Sequence, residues 1–288
     1  MNLKSLIIII IIITIIIIKM LIVLDELVKK YNITFTGILH VGAHECEELE
    51  SYEKYISRNK ILWIEAIKEK VNISKSRYNN ILIENSVVYD KIEIIDFNIS
   101  NNFQSSSLLE FGTHSINHPY VKFVDSYKVQ TNLLKNIISK YDIHFNFINL
   151  DIQGTELNAL KGMEIYLNNI EYIYTEVNND YVYENCCLIN EIDEYLEKFN
   201  FYRVETKWFE NCNWGDAFYI KNIKKIKNNT QELCNNYLKN EYIISDEKIQ
   251  KYIIFKPSGR VGNALFRYLA CVLFCIKFNY KYILEEYK

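Results

Sequence analysis

The sequence is poor in the residues that interrupt regular structure, with 2 prolines and 8 glycines among 288 residues. Collagen-like and proline-rich scaffolds are therefore excluded. It also lacks an excess of positive charge, because 33 Lys and Arg residues stand against 36 Asp and Glu residues. Nucleic-acid binding relies on clustered basic surface, so we expect no nucleic-acid partner. The hydrophobic fraction of 49% is typical of a globular protein and excludes a largely disordered chain.

Cysteine patterns that would indicate a metal or a disulfide framework are also missing. The chain has 7 cysteines, an odd number, and none of them form a C-x-x-C pair. Zinc ligands and the bridges of small secreted domains follow recognisable spacings that do not occur here. We therefore predict that the cysteines are structural or incidental and that the chain holds no metal.

Long apolar runs are confined to the amino terminus. Residues 6–18 read LIIIIIIITIIII, and continuing through Lys19 to Leu24 gives 19 residues. A helix of about 20 apolar residues crosses a bilayer, and Lys4 before the run favours a cytoplasmic amino terminus. We predict that residues 1–24 form a signal-anchor that associates an otherwise cytoplasmic protein with a membrane. The alternative is an isoleucine tract that arose by codon slippage.

Residues 25–222 alternate between short apolar strands and helices, which predicts an α/β fold with a mostly parallel sheet. The last two strands have no helix between them, so one of them should run antiparallel. Residues 223–250 are rich in Lys and Asn and resemble a linker, and residues 251–288 form a second strand–loop–helix–strand pattern. The predicted strands of the main domain cover 37–41, 61–64, 81–84, 92–98, 145–150, 172–177, 201–206 and 217–221.

Candidate binding residues follow the predicted strands, and parallel α/β sheets bind ligands beyond the carboxyl ends of their strands. Gly42 follows the first strand, Glu65 ends the second, Asn85 and Ser86 follow the third, and Asp151 follows a later one. A glycine permits close backbone approach to a ligand. An acidic residue after the second strand can accept both hydroxyls of a ribose, and Glu65 lies 23 residues after Gly42, near the spacing of dinucleotide sites.

The first turn nevertheless differs from a dinucleotide site. It has one glycine rather than G-x-G-x-x-G, and His44 and Glu45 follow it. Negative charge there disfavours a pyrophosphate and suits a ligand with a cationic centre. S-adenosylmethionine (SAM) carries a sulfonium and a ribose but no phosphate, so we predict SAM as the cofactor. An NAD-dependent oxidoreductase would need more glycine at this turn.

Several motifs carry a family resemblance. They are GILHVGAHE, WIEA, NSVV, the serine cluster SSSL at 105–108, NLDIQGTELNALKGM at 149–163 and YIYTEVN at 172–178. With these motifs, residues 33–222 resemble the FkbM-type SAM-dependent methyltransferases. The resemblance implies a Rossmann-like, seven-stranded class I methyltransferase fold. It also implies methyl transfer to an oxygen, often the hydroxyl of a sugar.

The resemblance assigns expected roles at matching positions. It places Gly42 and His44 at the methionine part of SAM, Glu65 at the ribose, Asn85 and Ser86 at the adenine, and Asp151 beside the sulfonium. The sequence departs from the usual pattern at His40 and His44, where Asp and Asn are frequent.

Methyl transfer to a hydroxyl also needs a group that takes the hydroxyl proton. We expect Asp151 to position the reactants and stabilise charge, with His114 or Glu176 as the base. His44 and His118 are further candidates for the base. Glu156 opens a helix, where a carboxylate also has an ordinary stabilising role.

The carboxyl-terminal segment carries a second resemblance. KPSGRVGNALFRYLA at 256–270 is similar to the opening of fucosyltransferase-like glycosyltransferases, but residues 251–288 are too few for such a domain. A truncated fusion with a sugar-transfer enzyme implies a glycan as the methyl acceptor. The alternative is a helix that packs on the main domain.

Two functions follow from these features. The first is a membrane-anchored O-methyltransferase that modifies the hydroxyl of a sugar, a glycan or another small molecule. The second is a catalytically inactive SAM-fold binding or scaffold protein produced by a truncated fusion gene.

Overall fold

The computed structural model describes residues 21–221 with their side chains, together with the backbone of two further strands, Tyr252–Phe255 and Lys281–Leu284. The chain divides into two compact units, Met1–Asn222 and Ile223–Lys288. In the second unit the two strands pair in parallel, with Tyr252 opposite Lys281. Both strands were predicted. The predicted linker at 223–250 and the loop and helix between the strands lie outside the described residues.

The first unit is built on a seven-stranded sheet with the order β3-β2-β1-β7-β8-β10-β9. All neighbouring strands are parallel except β10, which is antiparallel to both β8 and β9. The predicted α/β fold is therefore confirmed, and the antiparallel strand is one of the two expected. The strands are β1 (Ile38–Val41), β2 (Ile61–Glu65), β3 (Leu82–Asn85), β7 (Phe147–Leu150), β8 (Tyr172–Asn178), β9 (Phe201–Trp208) and β10 (Trp214–Lys221).

Short helices connect these strands and cover the sheet. The predicted helix at 45–57 is shorter than expected, because only Leu49–Glu53 is α-helical. His44 and Cys46 have φ angles of 43° and 60°, which a right-handed helix does not admit. The α-helices are α1 (Leu24–Tyr31), α2 (Leu49–Glu53), α3 (Lys68–Arg77), α4 (His114–Asn117), α5 (Leu134–Ile138), α6 (Glu156–Lys161) and α7 (Ile189–Glu197), with 3-10 turns at Arg58–Lys60 and Glu164–Asn169.

A small second sheet lies between β3 and α5 in the chain and combines β4 (Val87–Val88), β5 (Ile94–Ser100) and β6 (Phe123–Asn132). The sequence predicts β5 but leaves residues 108–126 as an excursion without regular structure. The ten-residue strand β6 contradicts that prediction from residue 123 onward. Most of its side chains are exposed, so the strand carries no alternating apolar pattern.

The core lies on both faces of the central strands. Every residue of β1, β2, β7 and β8 is buried, as expected for parallel strands covered on two sides. Leu39 and Ile148 pack with Leu160 of α6 and Ile192 of α7 in the main apolar cluster. This packing fixes the carboxyl ends of the strands relative to one another.

The predicted membrane segment, residues 1–24, extends too far at its carboxyl-terminal end. Residues 21–24 were included in the predicted membrane segment, but Ile22 and Leu24 are buried in the domain. The Leu21 N–H donates to Asp216 Oδ2 at 2.7 Å, and the Ile22 N–H donates to Tyr174 Oη at 3.2 Å. Residues 1–20 lie outside the described residues. Within the part of the chain that is described, no helix has the length and apolar character needed to cross a membrane.

Candidate active site

A cavity of about 410 Å³ opens at the carboxyl ends of β1, β2, β7 and β8 and reaches the start of β10. Its volume lies within the range of small-molecule sites, about 300–1,000 Å³. A second cavity of about 740 Å³ adjoins it beside β3. The two share lining residues, which are Ala66, Ile67, Ser86, Val87 and Phe103.

Gly42 forms the turn after β1 and has a φ of +90°, which L-residues with a side chain rarely adopt. Its N–H donates to the Ile64 carbonyl at 2.9 Å. A Cβ at this position would lie 1.7 Å from the carbonyl oxygen of Asp151. The glycine is therefore required by the close approach of the β1 and β7 ends. The sequence analysis expects a glycine here because it lets the backbone approach a ligand closely. The structure adds packing as a second reason.

Glu65 ends β2 and is held by two backbone donors. Its Oε2 accepts the His44 N–H and its Oε1 accepts the Ile67 N–H, both at 2.7 Å. The side chain lines the cavity, and burial raises the pKa of the carboxyl to about 7. Each carboxylate oxygen has two lone pairs, so both oxygens retain capacity for one further donor.

His44 lies next to Glu65 in the first turn and also lines the cavity. Its Nδ1 lies 2.5 Å from Glu47 Oε1. Its Nε2 is buried and has no hydrogen-bond partner among the described residues. A buried polar atom without a partner is uncommon in native proteins and indicates a ligand or a water molecule.

The two residues predicted near the adenine separate in the structure. Ser86 lines both cavities, whereas Asn85 lines only the second. The Asn85 amide donates to the carbonyls of Glu65 at 2.9 Å and Ala66 at 2.8 Å, so it fixes the turn after β2. Phe97 and Phe103 line the first cavity beside Ser86 and provide the apolar surface there. Sequence reasoning missed both phenylalanines. Phe103 lies in a polar loop, and Phe97 lies in a predicted strand that was not connected with the site.

Asp151 directly follows β7, and Glu176 lies near the end of the neighbouring strand β8; both line the cavity. The Gln153 amide connects them, because its Nε2 donates to Asp151 Oδ1 and to Glu176 Oε2, each at 2.7 Å. Burial and the nearby Asp151 raise the pKa of Glu176 well above its usual value. Tyr183 donates to Gln153 Oε1 at 2.5 Å and completes the group. Sequence reasoning missed Gln153 and Tyr183.

Glu156 is fully buried beneath this group and does not line the cavity. Its Oε1 accepts the N–H groups of Ile152 and Gly154 at 3.0 and 3.1 Å. The carboxylate therefore holds the turn between Asp151 and α6 in place, which is the stabilising role considered for it.

His114 begins α4 and is only 5% exposed, in the excursion where binding residues were expected. It lines the cavity, and burial lowers its pKa to about 4, so the imidazole is neutral at physiological pH. The ring stacks on Phe111 at 4.4 Å, and its Nδ1 has no hydrogen-bond partner among the described residues. His118 lines the same part of the cavity, with its ring centre 5.0 Å from that of His114.

Loops at 109–121, 179–187 and 209–214 form the wall around His114. Backbone hydrogen bonds join the first two, including those from Gly112 and His114 to the Val182 carbonyl, both at 3.0 Å. In the third loop, Phe209 and Trp214 stack at 4.6 Å with 10° between their planes. We call the cavity-lining rings of His114, His118, Tyr183, Phe209 and Trp214 the aromatic wall.

His40 has a structural environment within β1, although it borders the cavity. It is 2% exposed and stacks on Trp63 with ring centres 4.6 Å apart. Its Nδ1 lies 3.1 Å from Tyr52 Oη. Burial lowers the pKa of this histidine to about 3, so the ring is neutral in the folded protein.

The site and the sheet together define the class of protein. The seven-stranded sheet with β10 antiparallel is the class I methyltransferase sheet that the resemblance implied, and the acidic strand ends suit a cofactor with a cationic centre. The family model of the methyltransferase FkbM domain matches residues 40–203, which is more than half of the chain. The chain therefore belongs to the FkbM methyltransferase family, and its cofactor is SAM.

Comparison with solved structures finds distant similarity. The SAM-bound magnesium protoporphyrin IX methyltransferase of Synechocystis PCC 6803 aligns with 69% of this chain and 76% of its own, at 7% identity and a TM-score of 0.40. A SAM-dependent methyltransferase of Clostridium acetobutylicum aligns with 68% of this chain and 88% of its own, at 6% identity and a TM-score of 0.40. No curated protein matches the sequence.

The described residues fit SAM. Glu65 retains free acceptor positions for ribose hydroxyls, Phe97 and Phe103 provide an apolar surface for an adenine, and the carboxylate of Asp151 suits a sulfonium. The unpartnered Nε2 of His44 lies in the turn expected to hold the methionine part. No group of three or more His, Cys, Asp or Glu side chains in the described part of the chain is arranged to hold a metal ion.

Proposed function

We propose that this methyltransferase transfers methyl to a hydroxyl group, and that the acceptor is a sugar or glycan. SAM supplies the activated methyl group when it is bound. Gly42, His44, Glu65, Ser86 and Asp151 are the proposed binding residues that line the first cavity, and Asn85 supports the turn that carries Glu65. The observation that carries the proposal is the hydrogen bond from the His114 N–H to the Val182 carbonyl. Val182 lies in the loop after β8, on the other side of β7 from the strand β2 that carries Glu65.

His114 is the proposed proton acceptor. A hydroxyl becomes a useful nucleophile when a base takes its proton, and the neutral His114 ring has a buried Nδ1 available for it. As the hydroxyl oxygen accepts the methyl group that SAM would supply, the His114 imidazole would take up the hydroxyl proton. Glu176 is the weaker candidate for the base, because its Oε2 already accepts a hydrogen bond from Gln153.

Asp151 is assigned positioning and charge stabilisation. Its Oδ1 accepts from Gln153, and its main-chain N–H donates to the Val41 carbonyl at 3.0 Å, so its position follows the first turn. A reacting oxygen and carbon need to approach to about 3–3.5 Å, which requires rigid support of this kind.

The carboxyl-terminal unit supports a glycan acceptor. Its strands Tyr252–Phe255 and Lys281–Leu284 pair in parallel, as the strands of a strand–helix–strand unit do. The proposed origin of this unit is a truncated fucosyltransferase-like domain with no transferase activity of its own. The amino-terminal apolar run remains a proposed membrane anchor, now ending before residue 21.

Two measurements on the full chain test the proposed function. Calorimetry with SAM should show binding, and tritium-labelled methyl should pass from SAM to a mixed glycan preparation. His114→Gln should lower methyl transfer by about 10²–10⁴-fold, the usual contribution of a general base, with SAM affinity unchanged. Binding without transfer to any hydroxyl compound would favour the inactive scaffold, and absence of SAM binding would reject the proposed site.

A further inference from the structure

Two features of the cavity bear on the chemical nature of the acceptor. The first is acidic lining, because six carboxyl groups border the cavity, from Glu47, Glu48, Glu65, Asp151, Glu176 and Asp216. Lysine and arginine do not occur among the lining residues that the structure describes. The buried ammonium of Lys70 is paired with Glu45 at 2.7 Å.

The acidic groups disfavour an anionic acceptor when they are ionised. Burial raises the pKa of Glu48 to about 8 and that of Asp216 to about 7, so part of the group is neutral at pH 7. The cation of the cofactor favours ionisation of these groups. A phosphate or carboxylate on the acceptor would then meet like charges in a partly desolvated site, where repulsion is strong.

The second feature is the aromatic wall at the end of the cavity away from Glu65. Phe209 and Trp214 are half-buried, and their stacked rings are nearly parallel. The Phe209 N–H donates to the Trp214 carbonyl at 2.9 Å. Cys212 Sγ lies 3.9 Å from His118 Nε2 and links this loop to α4. An aromatic face of this kind binds the apolar C–H face of an uncharged ring and leaves the hydroxyls at its edge.

We propose that the acceptor is an uncharged compound whose ring packs against Trp214, with the reacting hydroxyl directed toward His114. Neutral sugars and glycans belong to this class, whereas sugar phosphates, uronic acids and nucleic acids do not. The inference rests on the proposed function and narrows its substrate. Trp214 is a specificity residue, because it contacts the part of the acceptor that does not react.

The first test uses the charge of the acceptor. A mixed glycan library is separated by anion exchange into neutral and acidic fractions, and each is incubated with the full chain and tritium-labelled SAM. Label should enter the neutral fraction at least ten times faster per mole of glycan. Equal or faster labelling of the acidic fraction would overturn the inference while leaving the proposed function intact. Binding of SAM without label in either fraction would instead count against the proposed function.

The second test uses the labelled neutral glycan and two variants of one residue. Trp214→Ala should raise KM for that glycan about tenfold or more, with the Kd for SAM unchanged, because only the acceptor surface is lost. Trp214→Phe keeps an aromatic face and should stay within about threefold of the parent KM. A KM that is the same in both variants and the parent would refute the role of Trp214.

Discussion

Glu65→Gln is the sharpest perturbation of the cofactor site. The carboxylate accepts two backbone N–H groups and retains two acceptor positions, one on each oxygen. Hydrogen bonds to charged groups contribute about 1.5–3 kcal/mol each, and about 1.4 kcal/mol corresponds to a tenfold change in affinity. Loss of one ribose contact should therefore weaken SAM binding about 10- to 100-fold at pH 8, where the parent carboxyl is ionised.

The same substitution has a structural effect that must be separated from binding. The amide nitrogen of glutamine would face the N–H of His44 or Ile67, which costs about 1–3 kcal/mol of unfolding free energy. Glu194→Gln is the matched control, because it makes the same chemical change on the exposed side of α7. It should leave both SAM affinity and urea stability unchanged.

A cycle with a modified ligand isolates the ribose contact. Calorimetry compares S-adenosylhomocysteine with its 3′-deoxy analogue on the parent chain and on Glu65→Gln. The parent should bind the analogue about tenfold more weakly than S-adenosylhomocysteine, whereas the variant should bind the two ligands with nearly equal affinity. If the variant and the parent lose the same factor, Glu65 does not contact that hydroxyl, and the assigned cofactor site is wrong.

Three further predictions concern pH and packing. SAM affinity should rise from pH 6 to pH 8, and binding should release protons, because a bound cation lowers the elevated pKa values of Glu65 and Glu48. Calorimetry in two buffers of different ionisation enthalpy measures the number of protons released. Proton uptake on binding would contradict this prediction. The free energy of unfolding should fall by up to about 1.4 kcal/mol per pH unit as pH drops from about 6.5 toward 3, because His40 takes up a proton in the unfolded chain before it does so in the folded one. His40→Gln should make the urea midpoint less dependent on pH over that range. An unchanged pH dependence of the midpoint would exclude His40 as the cause. Gly42→Ala should lower the free energy of unfolding by about 2–4 kcal/mol, because the alanine Cβ would collide with the Asp151 carbonyl and the backbone would be strained. A urea midpoint equal to that of the parent would show that the turn relaxes without cost.

The sequence predicted the large sheet well because its strands are buried on both faces. The apolar runs of β1, β2 and β7 are bounded by helices, and their ends are marked by Gly42, Glu65 and Asp151. The small sheet was only partly predicted. The exposed side chains of β6 follow no apolar alternation, and its pairing with β5 joins residues about 30 positions apart.

The cofactor end of the site was more accessible to sequence reasoning than the acceptor end. Gly42, Glu65 and Asp151 each end or follow a strand, and the parallel topology alone brings them together. Phe209 and Trp214 were missed because their proximity to His114 depends on three loops meeting in space. No spacing in the chain indicates that arrangement. The hairpin between β9 and β10, in which both strands were predicted, was the available signal.

The contact of Leu21 with Asp216 determines where a shortened form of the protein could begin. Deleting residues 1–24 to remove the apolar run would take away the N–H groups that donate to Asp216 and Tyr174. A buried carboxylate would then lose one of its donors at the edge of the cavity. A shortened chain for solution work should therefore retain residue 21 and the peptide group before it.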